Sequence, residues 1–403
     1  MNDETLRVVF VCQGDLGGPS EKQALAFAQQ LAARGHRVML SLNGDERSAA
    51  AELTAPVDGL QVRFHAFRGR ALRTADLDAV RAFRATLVHS FNARVRTLVA
   101  ARAYARAAGA PVFVHWEDDE WSIRRGYGRR SAFRRVARLA RRVLAPVAPD
   151  QGVFVSRRST HWAAHHARGH DALTPALAER VRERLGRDCA VVLPVTPKIA
   201  HAGAPAPPLP DALASKLLVG FTGEVHPGSV ADLELALRAT ALAQARGIDL
   251  AFVHTGKVLP RFDTAAMARA AGVAAGTAIF LGYLPFVQIP PLLRRLDILV
   301  QPGEPSDYNR LRLPSKMQAY LESGTPTITF AVGFAELLAD GEEVLKLHGF
   351  DPEELADRIT DVATDQALAQ RLARGARAAA DRLFDPARNC DALLAHYRAH
   401  LGG

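Results

Sequence analysis

A segment in the C-terminal half constrains the fold more than any other part of the chain. An apolar run at residues 296–300 is typical of a buried parallel strand, and a second strand is predicted from Thr327 onward. Between them, Ser315 and Lys316 begin a short helical pattern that ends at Gly324. Two parallel strands that are joined through a helix predict an α/β sheet with helices packed on its faces.

Lys316 lies in the first turn of this predicted helix, where the helix dipole makes a cation unfavourable. A bound anion removes that conflict, because backbone N–H groups and Lys316 can hold a phosphate together, with Ser315 capping the helix. Arg312, four residues earlier, can add a bidentate contact. The pattern therefore predicts a diphosphate site, and the alternative is a solvated lysine at an ordinary helix start.

The same segment resembles the nucleotide-sugar motif of the retaining GT-B glycosyltransferases of glycosyltransferase family 4. The matching residues are Tyr308, Asn309, Arg312, Pro314, Ser315, Lys316, Tyr320, Gly324 and Pro326. The resemblance implies an α/β fold of two Rossmann-like domains that face each other across a cleft, and sugar transfer with retention of configuration. It implies that Arg312 and Lys316 hold the donor diphosphate and stabilise its departure, that the donor is a UDP- or GDP-sugar, and that no metal or other cofactor is needed.

Departures from the family motif bear on activity. The family glutamate that holds the ribose hydroxyls is replaced by Ala319, and a second glutamate eight residues earlier is replaced by Leu311. Glu322, one helical turn after Ala319, lies on the same helix face and could take over the ribose. A catalytically inactive binding protein of the same fold therefore remains an alternative.

A glycine loop after a predicted strand, around Gly223, is also placed at the donor by the resemblance. Many family members carry an Arg directly after this glycine and a Lys five residues later, where this chain has Glu224 and Ser229. Residues 222–226 instead fit the T-G-x-V-H pattern that the subgroup often has, so Arg312 and Lys316 could be the only cations at the phosphates of this chain. The predicted donor-binding residues are Gly17, Gly18, Gly223, Glu224, Pro285, Asn309, Ser315 and Glu322.

The N-terminal half opens with a predicted strand at residues 6–12, a glycine-rich loop, and a helix that begins with a capping box of Ser20 and Gln23. The fingerprint G-x-G-x-x-G is absent, which argues against NAD binding. Gly17 and Gly18 match a family Gly-Gly pair that lets the loop approach the donor phosphate and the acceptor. The alternative is a tight turn without a ligand.

Polar residues follow strands that are predicted at residues 85–89 and 111–115. Because the carboxyl ends of parallel strands line the ligand crevice of an open sheet, these residues are candidates for the acceptor wall. We predict His115 as a catalytic residue, and as acceptor-binding residues His89, Asn92, Glu117 and Asp118. Some of these acids could instead cap the next helix or face solvent. An epimerase would need acid and base groups in both domains, and no motif identifies them.

Residues 122–145 contain nine arginines and no acidic residue, with apolar residues at helical spacing. Such a pattern is typical of a basic amphipathic helix at a membrane surface, although a surface helix packed on the core would also fit. The net charge of +9 favours an anionic partner. Nucleic acid is not expected, because no recognised module accompanies the basic stretch.

Residues 194–213 are rich in proline and alanine and are predicted to link two domains at 1–193 and 214–383. The resemblance implies that a last helix, 384–403, crosses back onto the first domain. Three scattered cysteines, no apolar run of membrane-spanning length and no signal peptide predict a cytoplasmic protein, peripheral at the inner face of the plasma membrane if the basic stretch binds lipid. The expected acceptor is a glycan, a lipid-linked sugar or a small-molecule aglycone.

Overall fold

A computed structural model describes residues 5–14, 16, 18–43, 57–68, 71–122, 157–197 and 205–402. The chain divides into two compact units. Unit 1 comprises Met1–Ala200 and Asp385–Gly403, and unit 2 comprises His201–Phe384. Each unit is built around one parallel sheet, as the predicted α/β pattern requires.

Unit 1 contains a seven-stranded sheet in the order β3–β2–β1–β6–β7–β8–β9. Its strands are β1 (Arg7–Val11), β2 (Arg37–Leu42), β3 (Leu60–Phe64), β6 (Leu87–Phe91), β7 (Val112–Trp116), β8 (Ala167–Ala172) and β9 (Ala190–Val191), with a short antiparallel ribbon of β4 (Phe67–Arg68) and β5 (Ala71–Leu72). Its helices are α1 (Pro19–Ala33), α2 (Thr74–Phe83), α3 (Val95–Ala108), α4 (Arg157–His166), α5 (Pro175–Leu185) and α13 (Pro386–Leu401).

The C-terminal helix α13 belongs to unit 1, as predicted. Asp385 caps its first turn by accepting a hydrogen bond from the Arg388 N–H at 2.6 Å, and Pro386 occupies the first helical position. The helix buries four side chains, which are those of Cys390, Leu393, Leu394 and Tyr397. They lie in the same core as the aromatic residues of β1, β6 and β7. Each large apolar side chain that is fully buried stabilises the unit by about 1.5–3 kcal/mol.

The sequence-based expectations for unit 1 need three corrections. Strand β8 was not predicted, because its sequence ARGHDA contains no apolar run. The predicted capping box is wrong, since helix α1 begins at Pro19 and the Ser20 hydroxyl donates to the Glu117 carboxylate instead. Strand β6 begins two residues later than predicted, which places His89 inside the strand. All but the first residue of the basic stretch 122–145 lies outside the described residues.

Unit 2 contains a six-stranded parallel sheet in the order β12–β11–β10–β13–β14–β15. Its strands are β10 (Leu217–Thr222), β11 (Leu250–Thr255), β12 (Ala278–Phe280), β13 (Ile298–Gln301), β14 (Thr327–Phe330) and β15 (Leu345–Leu347). Its helices are α6 (Val230–Ala245), α7 (Thr264–Ala271), α8 (Ile289–Leu293), α9 (Asp307–Leu311), α10 (Lys316–Ser323), α11 (Pro352–Thr364) and α12 (Gln366–Leu383), with single 3₁₀ turns at Asp211–Leu213, Phe286–Gln288 and Gly333–Leu337.

The strand–helix–strand order of the motif segment is as predicted, although the predicted loop before Pro314 contains the short helix α9. Strand β13 is fully buried, helix α10 follows, and Gly324 ends that helix in the left-handed conformation, with φ of +70°. The buried Tyr320 hydroxyl accepts a hydrogen bond from the Thr222 N–H at 2.9 Å, which ties helix α10 to the end of β10. Within the described ranges, no helix combines the length and the hydropathy that crossing a lipid bilayer requires.

Candidate functional site

Two glycines bring the backbone close together at the carboxyl ends of β10 and β11. Gly223 has a φ of +137° and Gly256 a φ of +145°, both in a region that favours glycine. A Cβ on Gly256 would lie 1.9 Å from the Gly223 carbonyl oxygen. Any side chain at residue 256 would therefore push the two loops apart, and the open backbone at Gly223 is a fixed feature of this sheet edge.

Lys316 reaches this edge from the first turn of α10. Its Nζ lies 4.0 Å from the Phe221 ring centroid and 3.0 Å from the place that a Cβ on Gly223 would occupy. Burial lowers the pKa of Lys316 to about 7, although the nearby Asp232 carboxylate acts in the opposite direction. The position therefore disfavours a charged lysine in the absence of an anion, and the phosphate site stays a prediction.

Arg312 and Asp232 complete the charged group around Lys316. The Arg312 guanidinium lies 5.0 Å from the Tyr308 ring centroid, and its buried Nε has no hydrogen-bond partner in the described part of the chain. Burial raises the pKa of Asp232 to about 6, while Lys316 and Arg312 favour its charged form. Sequence reasoning missed Asp232, because an acid in the first turn of a helix is ordinary and carries no motif.

The loop that follows Gly223 is held by its own hydrogen bonds. The Ser229 hydroxyl donates to the Glu224 carbonyl oxygen at 2.5 Å and accepts from the His226 N–H at 3.1 Å. Ser229 therefore shapes this loop at the place where family members carry a cation. The Glu224 side chain is exposed.

The structure places the other predicted donor-binding residues as follows. Ser315 occupies the N-cap position of α10 but makes no capping hydrogen bond, so the predicted side-chain cap is wrong. The Asn309 amide donates to the Glu304 carbonyl oxygen at 2.7 Å and fixes the loop before α9. Pro285 and Glu322 are exposed. In unit 1, Gly18 is the N-cap residue of α1, whereas Gly17 lies outside the described residues.

In unit 1, three adjacent strands bring two histidines and an aspartate together on one face of the sheet. His115 on β7 is the direct neighbour of Asp171 on β8, and Phe91 on β6 is the neighbour of His115. His89 lies two residues before Phe91 and therefore shares its face. The His115 Nδ1 is hydrogen-bonded to Asp171 Oδ2, and the His89 Nε2 lies 3.0 Å from Asp171 Oδ1.

Burial and charge divide the protonation states of this cluster. Burial alone would raise the pKa of Asp171, but the two imidazoles hold it well below its usual range. Burial alone would also lower the pKa of His115, but Asp171 raises it above its usual range. Burial prevails at His89 and lowers its pKa. The arrangement therefore favours an ionised Asp171, a protonated His115 and a neutral His89 near neutral pH.

These three residues are also the one group in the described ranges whose ligand atoms, within 4.8 Å of one another, could hold a metal ion. The hydrogen bond between His115 and Asp171 accounts for their proximity without an ion. The sequence predicted His89 and His115 but missed Asp171, because a lone aspartate in an unrecognised strand gives no signal. His89 is fully buried inside β6, so its predicted position at the strand end is wrong.

A group of buried carboxyls lies beyond the ends of β1 and β7. The Glu117 carboxylate accepts from the Ser20 hydroxyl, and Glu120 accepts from Arg94 Nε at 2.6 Å. Glu117 Oε1 and Glu120 Oε2 are buried and have no hydrogen-bond partner among the residues described. Burial raises the pKa of Glu117, and it raises that of Glu120 to about 7. Such carboxyls are suited to proton transfer near neutral pH.

Glu21 joins this group from the first turn of α1. Its Oε1 accepts a hydrogen bond from the Gly14 N–H at 2.7 Å, and burial raises its pKa to about 7, with a further contribution from Glu117. Sequence reasoning missed Glu21 because it falls within a predicted helix start. Asp118, which was predicted, is half-buried beside Glu117.

Asn92 has mainly a local role. Its φ of +84° is left-handed, and its Oδ1 accepts from the Arg94 N–H at 3.2 Å and the Thr97 hydroxyl at 3.0 Å, which orders the start of α3. Its Nδ2 is buried without a hydrogen-bond partner in the described structure. The predicted contact of Asn92 with an acceptor stays a prediction.

Comparison with known families finds a match within the C-terminal half of the chain. Residues 216–365 match the model of the family described as glycosyl transferases group 1. This match confirms, over that part of the chain, the resemblance that the motif around Lys316 indicated. No curated protein matches the sequence.

Solved structures match over almost the whole chain. HepE of Anabaena, in complex with UDP and glucose, is 15% identical with a TM-score of 0.69 and covers 98% of this chain and 100% of its own. A glycosyltransferase from Rickettsia africae is 11% identical, with a TM-score of 0.67 and 99% of each chain covered. A putative UDP-N-acetylglucosamine 2-epimerase from Listeria monocytogenes is 12% identical, with a TM-score of 0.59 and 98% and 96% covered. At these identities the likeness concerns the fold, and it confirms the predicted GT-B class with two parallel-sheet Rossmann-like domains.

Proposed function

We propose that this chain is a glycosyltransferase that moves a sugar from a nucleotide-sugar donor to an acceptor with retention of configuration. Unit 2 binds the donor, a UDP- or GDP-sugar, and the HepE complex with UDP and glucose favours UDP. Unit 1 binds the acceptor, which is a glycan, a lipid-linked sugar or a small-molecule aglycone. The family match of residues 216–365 supports transfer, and retention rests on the motif resemblance.

One observation carries the donor assignment: the half-buried Lys316 ammonium beside the open backbone of Gly223, with Arg312 in the same charged group. Departure of a nucleoside diphosphate builds negative charge on the leaving group, and cations that are already in place stabilise it without reorganisation. A bound diphosphate would also relieve the burial cost of Lys316 and offer Arg312 Nε an acceptor. The Asp232 carboxylate is the acid that acts on Lys316, and Glu304 lies near Asp232.

The acceptor assignment is supported by the polar side chains of unit 1. His115, Glu117 and Glu120 provide imidazole and carboxyl groups that can hold a hydroxyl and move a proton. Three buried cysteines without disulfides suit the cytoplasm, where we place the protein. A membrane contact through residues 122–145 is part of the same proposal and is supported by their nine arginines.

The experiment is a calorimetric titration of the protein with UDP, GDP and their sugar derivatives. We expect Lys316→Met to weaken binding of the preferred nucleotide about ten- to a hundred-fold, because a charge-assisted hydrogen bond contributes about 1.5–3 kcal/mol. Lys216→Met is the matched control, since Lys216 lies in the same unit and pairs with Asp249 at the surface. Equal nucleotide affinity of the two variants would refute the donor assignment.

A second candidate is an epimerase that acts on the nucleotide sugar itself. The carboxyls of unit 1 with pKa values near 7 favour it, because epimerisation needs acid and base groups. Incubation of a nucleotide sugar without acceptor, followed by NMR of the sugar, separates the candidates. A new epimer supports the epimerase, a product that appears only with acceptor supports transfer, and binding without turnover supports an inactive binding protein.

A further inference from the structure

The C-terminal helix α13 reaches the His–Asp–His cluster of unit 1 through one side chain, Tyr397. The Tyr397 hydroxyl lies 2.6 Å from His89 Nδ1, and both side chains are fully buried. The Tyr397 ring contacts Phe113 and His89 edge-on, with centroid distances of 5.0 and 5.6 Å. The packing of the ring fixes the position of the Tyr397 hydroxyl, so its hydrogen bond with His89 is part of the buried core.

We propose that Tyr397, His89 and Asp171 form a buried positioning chain that fixes the tautomer and charge of His115, which makes helix α13 a working part of the candidate acceptor site. The inference rests on the proposed function only in placing an acceptor in unit 1. The chain itself is defined by contacts that run from α13 through β6 and β8 to β7.

The positions of the protons follow from the contacts. An ionised Asp171 can only accept hydrogen bonds, so the His115 Nδ1 next to it carries a hydrogen. The His89 Nε2 makes an ion-pair contact at 3.0 Å with the other carboxylate oxygen, without hydrogen-bond geometry, and a hydrogen on Nε2 keeps two lone pairs from facing each other. A neutral His89 then has its lone pair on Nδ1, where it accepts from the Tyr397 hydroxyl. The charge of Asp171 thus determines which nitrogens of His115 and His89 carry hydrogens, and the His89 tautomer determines that Tyr397 is the donor.

The chain leaves His115 Nε2 with neither a hydrogen bond nor an ion pair to any described residue, whereas His89 Nε2 has the Asp171 carboxylate at 3.0 Å. His115 Nε2 is buried and forms no hydrogen bond with any described residue. With Nδ1 committed to Asp171, a protonated His115 presents Nε2–H as a donor, so the ligand that satisfies it must offer an oxygen, such as an acceptor hydroxyl. His115 touches the ligand in this proposal, while Tyr397, His89 and Asp171 act through it.

Several other titratable groups surround this chain and enter its pH dependence. They are Glu117 after β7, His170 on β8, Cys189 before β9, and Cys390, His396 and His400 on α13. The opposite charge of Asp171 is the contact that dominates at His115. Removing that charge should therefore change the titration of His115 more than any other single substitution.

The test is an NMR titration of the imidazole signals in the full-length protein. In the wild type we expect His115 to titrate above the usual histidine range, and His89 to show an unprotonated Nδ1. Asp171→Asn should lower the pKa of His115, because it removes the charge that raises it. Tyr397→Phe removes the donor to His89 Nδ1, so it should shift the Nδ1 signal of His89 and, by a smaller amount than Asp171→Asn, the titration of His115.

Leu394→Val is the matched control, because Leu394 is a buried core residue on the same helix and takes no part in the hydrogen-bonded chain. It should leave the signals of both histidines unchanged. Should Asp171→Asn fail to fold, Tyr397→Phe still decides, since it removes one oxygen atom and keeps the ring. An unchanged pKa of His115 in Tyr397→Phe would overturn the proposal.

The NMR titration needs neither donor nor acceptor substrate, so its result is independent of whether the proposed function is correct. If transfer is measurable, Tyr397→Phe should shift the pH profile of kcat while the donor KM stays constant, which a general loss of packing would not do. A protein without any transfer activity would refute the glycosyltransferase proposal and leave the NMR result intact.

Discussion

The candidate sites of the two units are built in opposite ways. In unit 2 the two cations, Arg312 and Lys316, lie within one motif, and backbone loops at Gly223 and Gly256 complete the sheet edge. In unit 1 the polar groups come from separate strands and from a helix 308 residues away, as the contact of His89 with Tyr397 shows. A site carried by one segment can be recognised in a sequence, whereas a site assembled from distant segments cannot.

The two sites also differ in which charge is costly. Burial acts against a cation in unit 2, where it lowers the pKa of Lys316, and against anions in unit 1, where it raises the pKa values of Glu21 and Glu120. A phosphate-bearing ligand would compensate the first site. A hydroxyl that exchanges a proton would suit the second.

The largest effect is expected from adding a methyl group at the backbone of unit 2. Gly256→Ala would place a Cβ 1.9 Å from the Gly223 oxygen at a φ of +145°, so overpacking and backbone strain together should cost about 2–6 kcal/mol of stability. Gly247→Ala is the control, because it has a φ of +88° with no atom within 4 Å and should cost only about 1–2 kcal/mol. Urea unfolding measures both. Equal costs would mean that the close approach of the two loops is unimportant.

That comparison explains how much the sequence could predict. The two α/β sheets and the segment around Lys316 follow from apolar runs, glycine stops and a helix start, which are local signals. The place of the C-terminal helix in unit 1 was implied by the family resemblance. Strand β8 and its Asp171 were missed because a polar strand has no periodic pattern. Asp232 and Glu21 were missed because each looks like an ordinary acid in a first helical turn, and only burial makes them unusual.

The pH dependence of stability should have opposite slopes in the two units. Native Glu21, with a pKa raised from 4.5 to about 7, keeps a proton that the unfolded chain loses, so unit 1 loses stability as pH rises across that interval. This corresponds to about 3 kcal/mol. Native Lys316, with a pKa lowered from 10.5 to about 7, loses a proton that the unfolded chain keeps, so unit 2 gains stability as pH rises from about 7 to 10.5.

Hydrogen exchange resolved to each sheet, followed between pH 5 and 9, measures the two slopes separately. Glu21→Gln keeps an acceptor for the Gly14 N–H and should reduce the slope of unit 1 alone, leaving the part that Glu117 and Glu120 contribute. Lys316→Met should flatten the slope of unit 2 above pH 7 alone. A slope of unit 1 below pH 7 with the same sign as that of unit 2 above pH 7 would contradict the contrast between a buried cation and buried carboxyls.

The smallest effect concerns the ribose, where the motif of unit 2 departs from its family. Glu322 is exposed, accepts from Gln318 Nε2 at 3.2 Å, and lies three residues after Ala319 on the same helix face. If Glu322 holds the ribose hydroxyls, Glu322→Gln should weaken UDP binding about three- to ten-fold, the value of one hydrogen bond that competes with water. Glu234→Gln, at another exposed position of unit 2, is the control.

The ribose assignment is sharpened by changing the ligand along with the protein. Glu322→Gln should weaken the binding of UDP but leave that of 2′,3′-dideoxy-UDP unchanged, because the dideoxy ligand lacks the hydroxyls that Glu322 would hold. Equal weakening of both ligands would trace the effect to charge rather than to ribose. If neither ligand responds, the ribose lacks a carboxylate partner at Glu322, and Ala319→Glu should then strengthen UDP binding. If Glu322 does hold the ribose, the added carboxylate of Ala319→Glu would compete with it, and UDP affinity should change little.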